Sequence, residues 1–145
     1  MRLLVFTAHC ADYCSRAGGT IAKTIRDGGQ ARVVALTNGE RSESGGLYGQ
    51  GKSYSLEEIS EIRRKEARAA ADLMGAEIRF LDWGDLSFEF TADRANALAQ
   101  EIRDYRPEAI LTHHGPDPVS MDHDTTWRLA LRASAMSRAA GLESE

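Results

Sequence analysis

The chain has 145 residues, 42% of them hydrophobic and 28% charged, with a formal net charge of −4. That length suits a single domain burying about 70% of its chain surface, and the mixture is that of a globular protein, with no basic excess to serve as a nucleic-acid surface. No stretch approaches the ~20 apolar residues of a membrane span, and two cysteines, Cys10 and Cys14, are too few for a disulfide framework.

Residues 2–8 (RLLVFTA) predict a buried strand. Its apolar core, Leu3 to Phe6, is too short for a signal peptide, so a cytoplasmic protein with both thiols reduced is expected. A helix over 18–28 follows, with Ile21 and Ile25 on its core face; Gly18-Gly19 reads as a tight turn allowing close strand–helix packing. As a dinucleotide fingerprint the pair lacks a third glycine.

A second strand is predicted at 31–37, then a glycine-rich polar loop from Asn38 to Ser55. Such long loops in compact domains are often functional. The helix over 56–74 is the clearest element. Ser55 with Glu58 forms a capping box, Gly75 stands at the C-terminal cap, and Leu56, Ile59, Ile62, Ala69, Ala70 and Leu73 fall near one stripe. Arg63-Arg64-Lys65, framed by Glu61 and Glu66, reads as a solvated helix face laced with ion pairs.

A third strand at 77–83 precedes a helix over 91–105, which opens at Thr91 and ends before Pro107. The fourth strand is 109–113 and the last helix 124–140. Alternation of this kind predicts an α/β domain spanning 1–145, with a mostly parallel sheet covered on both faces.

Ligands of open parallel sheets sit beyond the carboxyl ends of the strands. His9 and Asp12 follow the first strand, Glu40 and Glu43 the second, Asp85 the third, and His113, His114 and Asp122-His123 the fourth. All fall on one edge. Two histidines and one aspartate, His9, Asp12 and His123, suit a three-ligand catalytic metal site with one open position, zinc being the expected ion and another divalent metal an alternative. His113 and His114 read better as supporting polar groups than as ligands. Glu40 and Glu43 are either solvated loop carboxylates or catalytic acids and bases, and Arg41 is either surface decoration or an anion contact.

At this point the residues become recognisable. AHCAD at 8–12, the RAGGT turn, EIRFLDWGD after the long helix and THHGPDPVSMDH together resemble the PIG-L (LmbE-like) family of zinc-dependent enzymes, over essentially the whole chain. The resemblance implies a Rossmann-like three-layer sandwich and a zinc-dependent activity, best known as N-deacetylation of N-acetylglucosaminyl substrates. It places His9, Asp12 and His123 at the family's metal ligands and Asp122 at the acidic residue before the last ligand. Two positions depart from the deacetylase pattern: Ala11 stands where the family carries its general-base aspartate, and Ser120 where it carries a histidine.

RAGG, GERSES at 39–44 and Ser120 resemble in detail the family's branch of 4-oxalomesaconate hydratases, although that branch keeps the aspartate replaced by Ala11. The resemblance therefore implies a metal-dependent hydro-lyase acting on an unsaturated keto-carboxylate. An N-deacetylase of an N-acetyl sugar, or a non-catalytic metal-binding relative, is the alternative. In the hydratase reading Asp122, Glu43 or Glu40 handles protons, and Arg16, Arg41 and His114 pair with substrate carboxylates. A small molecule is the expected partner, with neither nucleic acid nor membrane; a homo-oligomer is compatible with the composition. Family members usually continue for several more elements that complete the sheet and wall off the substrate. The resemblance thus implies a domain shortened at its C-terminus.

Overall fold

The computed structural model describes residues 1–49, 51, 53–86 and 88–139. Four strands, β1 (Arg2–Thr7), β2 (Gln30–Ala35), β3 (Glu77–Phe80) and β4 (Ala109–Leu111), form one sheet in the order β3-β2-β1-β4. Every pairing is parallel, and Val5 of β1 lies between Val33 of β2 and Leu111 of β4. Five helices connect or follow the strands: α1 (Gly18–Arg26), α2 (Gly45–Tyr48), α3 (Leu56–Met74), α4 (Ala92–Tyr105) and α5 (Met121–Met136).

The apolar run of β1 shows why the domain has three layers. Successive strand side chains point to opposite faces. Leu3 and Val5 join Ile21 of α1 and Ala67 and Ala71 of α3 in one cluster, while Leu4 and Phe6 join Leu98 of α4 and Leu129 of α5 in another. A parallel strand buried on both faces reads as a continuous hydrophobic run, which is what Leu3 to Phe6 supplies. The α/β, Rossmann-like class expected from the alternation is thus the architecture observed.

Several local expectations are corrected. Gly18 and Gly19 open α1 rather than forming a tight turn, and a side chain at Gly19 would meet nothing within 4 Å, so close packing does not require them. They follow a wide helical turn at Tyr13–Ala17 that the sequence did not announce. The buried face of α3 is Ile59, Ser60, Ala67 and Ala71, and Leu73 is 90% exposed. Helix α3 meets the sheet cluster through Ala67, Ala70, Ala71 and Met74, and Ile59 is buried while Leu73 is not, so its large aliphatics are an uneven guide to its orientation. Arg63 and Arg64 are largely buried, while Lys65 remains out in solvent, so the basic triplet is not a uniformly solvated face.

The glycine-rich loop contains the short helix α2; Gln50 and Lys52 of that loop, and Ala140 at the expected end of the last helix, lie outside the described residues. Helix α5 starts at Met121, three residues before its expected start. Strands β3 and β4 stop short of residues 83 and 113. Regular pairing therefore ends at Thr7, Ala35, Phe80 and Leu111, and the ionisable clusters begin just past those points.

Candidate metal centre

Asp12 is the hub of the site. Its Oδ2 accepts the backbone N–H of His9 at 3.0 Å, so the carboxylate fixes the very turn that carries it away from β1. The same oxygen lies 3.1 Å from His9 Nδ1 and 3.3 Å from His123 Nε2. One ligand atom from each of His9, Asp12 and His123 falls within 4.8 Å of the others, and all three residues are buried. His123 reaches this point because it sits in the first turn of α5, where Ser120 Oγ accepts its backbone N–H at 3.3 Å. Ser120, at the position of the family's second-motif histidine, is thus the N-cap of α5.

Each imidazole is turned by a carboxylate on its far side. His9 Nε2 lies 3.0 Å from Asp122 Oδ2, which also accepts the Leu86 N–H at 2.8 Å. His123 Nδ1 lies 3.2 Å from Asp117 Oδ2, while Asp117 Oδ1 accepts the N–H groups of Val119 and Ser120. Carboxylates behind metal-binding histidines set ring orientation and raise ligand basicity. The donor set fits a borderline divalent cation: two nitrogens and an oxygen converge, and both outer nitrogens are already engaged.

The electrostatics agree with that donor set. Burial works against a charge on His9, but its bonds to Asp12 and Asp122 outweigh it and push the pKa up to about 10. Burial likewise opposes the charge on Asp12, yet hydrogen bonds from His123 and His9 hold its carboxyl far below the usual range. The surrounding carboxylates favour positive charge at His9. His113 behaves oppositely: burial brings its pKa down to about 4. Its Nε2 accepts the Ala8 N–H at 2.9 Å and its ring stacks on His123 at 4.0 Å, which holds it beside the cluster.

Of the two GERSES carboxylates, Glu43 comes closer to the centre than Glu40. Its Oε2 accepts the N–H of Ala11 at 3.1 Å, and its Oε1 lies 3.9 Å from His9 Nδ1. Burial and then the charge of Asp12 raise its pKa above the ordinary carboxylate value. Gly39 makes room for it: φ there is +70°, and a Cβ would sit 2.9 Å from Glu43 Oε2. Glu40 is buried too, but its Oε1 accepts the Asp85 N–H, and no contact among the described residues joins it to the three ligands. Asp85 in turn accepts the N–H groups of Arg41 and Ser42, tying the GERSES segment to the end of β3.

Beside Asp12 and His123 lies a pocket of about 540 Å³ whose walls include Arg16, His113, His114 and Asp117. Arg16 Nε donates to Asp12 Oδ1 at 3.1 Å and keeps most of its side chain in solvent. His114 is exposed on the wall; Arg41 is exposed on the loop, and neither it nor His9, Glu40 or Glu43 is among the lining residues. The sequence did not single out Asp117. Its one signal was a loop aspartate between two prolines, placed to accept the next turn's amides.

A three-layer parallel sheet with a two-histidine, one-aspartate centre at its carboxyl edge defines a class of metal-site α/β domains. The PIG-L family model, described as GlcNAc-PI de-N-acetylase, matches residues 4–134, and the chain belongs to that family. It is 38% identical to a 4-oxalmesaconate hydratase of Pseudomonas putida over 95% of this chain and 53% of that protein. The crystal structure of GalB, the 4-carboxy-2-hydroxymuconate hydratase of Pseudomonas putida, superposes with a TM-score of 0.93 at 38% identity, covering 97% of this chain and 58% of that one. An N,N'-diacetylchitobiose deacetylase of Pyrococcus horikoshii superposes with a TM-score of 0.87 at 26% identity, covering 97% and 52%. The chain therefore spans little more than half the length of these relatives. Among the described residues no helix is long and apolar enough to cross a membrane.

Proposed function

We propose that this chain carries the metal-binding domain of a hydro-lyase that adds water to a carbon–carbon double bond conjugated to a keto or carboxylate group. The observation that carries the reading is Glu43. A carboxylate from the GERSES segment lies against the Ala11 amide, where the deacetylase pattern would supply an aspartate from the turn after β1. The likeness to the two hydratases points the same way.

His9, Asp12 and His123 would hold the metal, with zinc the ion that best suits two nitrogens and one oxygen. When bound, a divalent metal supplies a Lewis acid that polarises a substrate oxygen and acidifies water. The chain's own residues do the rest. Glu43 Oε1 takes the proton from the attacking water as the new C–O bond forms at the carbon β to the carbonyl. The electron pair of the double bond moves onto the conjugated carbonyl as an enolate, and the proton is returned to the α carbon. Asp122 holds His9 in its tautomer, while Arg16 and His114 on the pocket wall receive the carboxylates of the substrate.

A zinc-dependent N-deacetylase is the second reading, favoured by the family model and the diacetylchitobiose deacetylase fold. It lacks the histidine that Ser120 replaces, and Ser120 is committed to capping α5. Purified zinc-loaded protein assayed against an unsaturated tricarboxylic keto acid and an N-acetylhexosamine separates the two. Hydration of the keto acid, abolished by a chelator and restored by zinc, is the expected result. Turnover of the amide alone would overturn the ordering, and turnover of neither would leave a non-catalytic metal-binding domain.

A further inference from the structure

Arg63 lies on α3, away from the residues that converge on Asp12, yet its side chain is only 17% exposed. Its Nη1 donates to Glu66 Oε2 at 2.5 Å, and Nη2 lies 3.8 Å from Glu43 Oε2. Its Nε is buried without a hydrogen-bond partner among the described residues. The Glu43 oxygen it faces is the one that accepts the Ala11 N–H. Three segments thus meet at one atom: the end of β1, the GERSES loop and α3.

The need for a cation here follows from the carboxylates. Asp12 Oδ2 lies 3.1 Å from His9 Nδ1, and Glu43 Oε1 lies 3.9 Å from the same nitrogen. Two carboxylates converging on one side of an imidazole repel each other, and in a partly dry pocket the repulsion is weakly screened. With only the Ala11 N–H to hold it, Glu43 would relieve this by rotating toward solvent. A guanidinium on the far oxygen offsets the repulsion without entering the pocket. An exposed Arg63–Glu66 pair alone would explain neither the burial of the side chain nor its approach to Glu43, because such pairs contribute little.

We infer that Arg63 is a positioning residue which, from the back of the site, holds the Glu43 carboxylate against Ala11 and beside His9. The inference rests on the reading of Glu43 as the proton-handling group, and deepens it. Arg63 does not touch the substrate pocket, so its loss should act through Glu43 geometry. Misplacing a reacting group by about an ångström can cost as much as ~10²-fold in rate.

The test is a double-mutant cycle with a readout independent of turnover. In the full chain loaded with zinc, Arg63→Ala is expected to lower kcat roughly 10- to 100-fold with KM little changed, and Arg63→Lys to retain most of the activity. Combining Arg63→Ala with Glu43→Gln should give no loss beyond Glu43→Gln alone, since residues acting as a unit are not additive. In parallel, the Ala11 amide proton, followed by NMR, should move upfield in Arg63→Ala and in Glu43→Gln but stay near its original position in Arg63→Lys. An Ala11 resonance unmoved in Arg63→Ala, or additive losses in kcat, would overturn the inference. Glu43→Gln with unchanged kcat would instead sink the role given to Glu43, and the Ala11 resonance would still decide whether Arg63 holds it. A purely structural Arg63 would lower the melting temperature in both Arg63 variants and leave the cycle additive.

Discussion

At the scale of single residues, the centre is defined by which carboxylate stands where. Ala11 removes a side chain from the end of β1, and Glu43 brings one back from another segment. If Glu43 has taken over as base, Glu43→Gln should lower kcat by about 10²- to 10⁴-fold. Ala11→Asp introduced into that variant should recover part of the loss, because the new carboxylate no longer meets the charge of Glu43. Steady-state kinetics on the keto-acid substrate checks both, and Ala11→Asp that fails to recover any turnover would show that the two positions are not equivalent. Asp117 gives a second residue-scale prediction. Asp117→Asn keeps an acceptor for the Val119 and Ser120 amides but removes the charge behind His123. Metal affinity should fall about 10- to 100-fold, as for other outer carboxylates, measured by competition against a chromogenic chelator. The convergence of His9, Asp12 and His123 was legible, because His9 and Asp12 lie three residues apart after an apolar run and His123 follows the other. Asp117 was not, because nothing local says which imidazole a loop aspartate will find.

At the scale of elements, the helix ends decide what the site can reach. The capping box of α3 was readable since Ser55 and Glu58 both carry the pattern, and both reciprocal bonds are present. The cap of α5 was missed for a physical reason. Ser120 has His123, rather than Glu or Gln, three residues on, so only half of the capping box is written in the sequence. The consequence is functional, because starting α5 at Met121 puts Asp122 and His123 in a rigid first turn rather than in a loop. Ser120→Ala should destabilise the domain by about 1 kcal/mol, with Ser120→Asn retaining most of the stability; thermal denaturation reads both. A melting temperature unchanged in Ser120→Ala would mean that the Asp117 turn alone fixes the start of α5.

At the scale of the whole molecule, the sheet is tied at its other end by charges that bridge layers. Arg32 of β2 donates to Glu77 of β3 and to Glu101 of α4, and Arg79 donates to both carboxylates as well. Burial opposes the charge on Glu77, but Arg32 and Arg79 outweigh it and hold its pKa below the ordinary value. A carboxyl whose pKa is lower folded than unfolded stabilises the fold above its unfolded pKa, and that contribution is lost as pH falls through the folded value. Glu77→Gln should therefore lower the melting temperature at neutral pH, and the difference from the unaltered protein should shrink as pH drops below about 4. A difference independent of pH would assign the effect to packing instead of charge.

The strand–helix alternation, the parallel sheet buried on both faces and the edge at which the candidate ligands gather were all legible along the chain. These follow from patterns of period two and 3.6 and from the rule that such sheets bind at their carboxyl ends. Folding was needed to bring Glu43 onto the Ala11 N–H, to set Asp117 and Asp122 behind the two histidines, and to turn Arg63 inward while Lys65 stays out. Those contacts join residues on different elements, Asp122 to His9 across 113 positions of chain and Glu43 to Ala11 across 32. Periodicity tells a residue which face of its own element it occupies. It carries no information about the neighbour that folding will bring to that face.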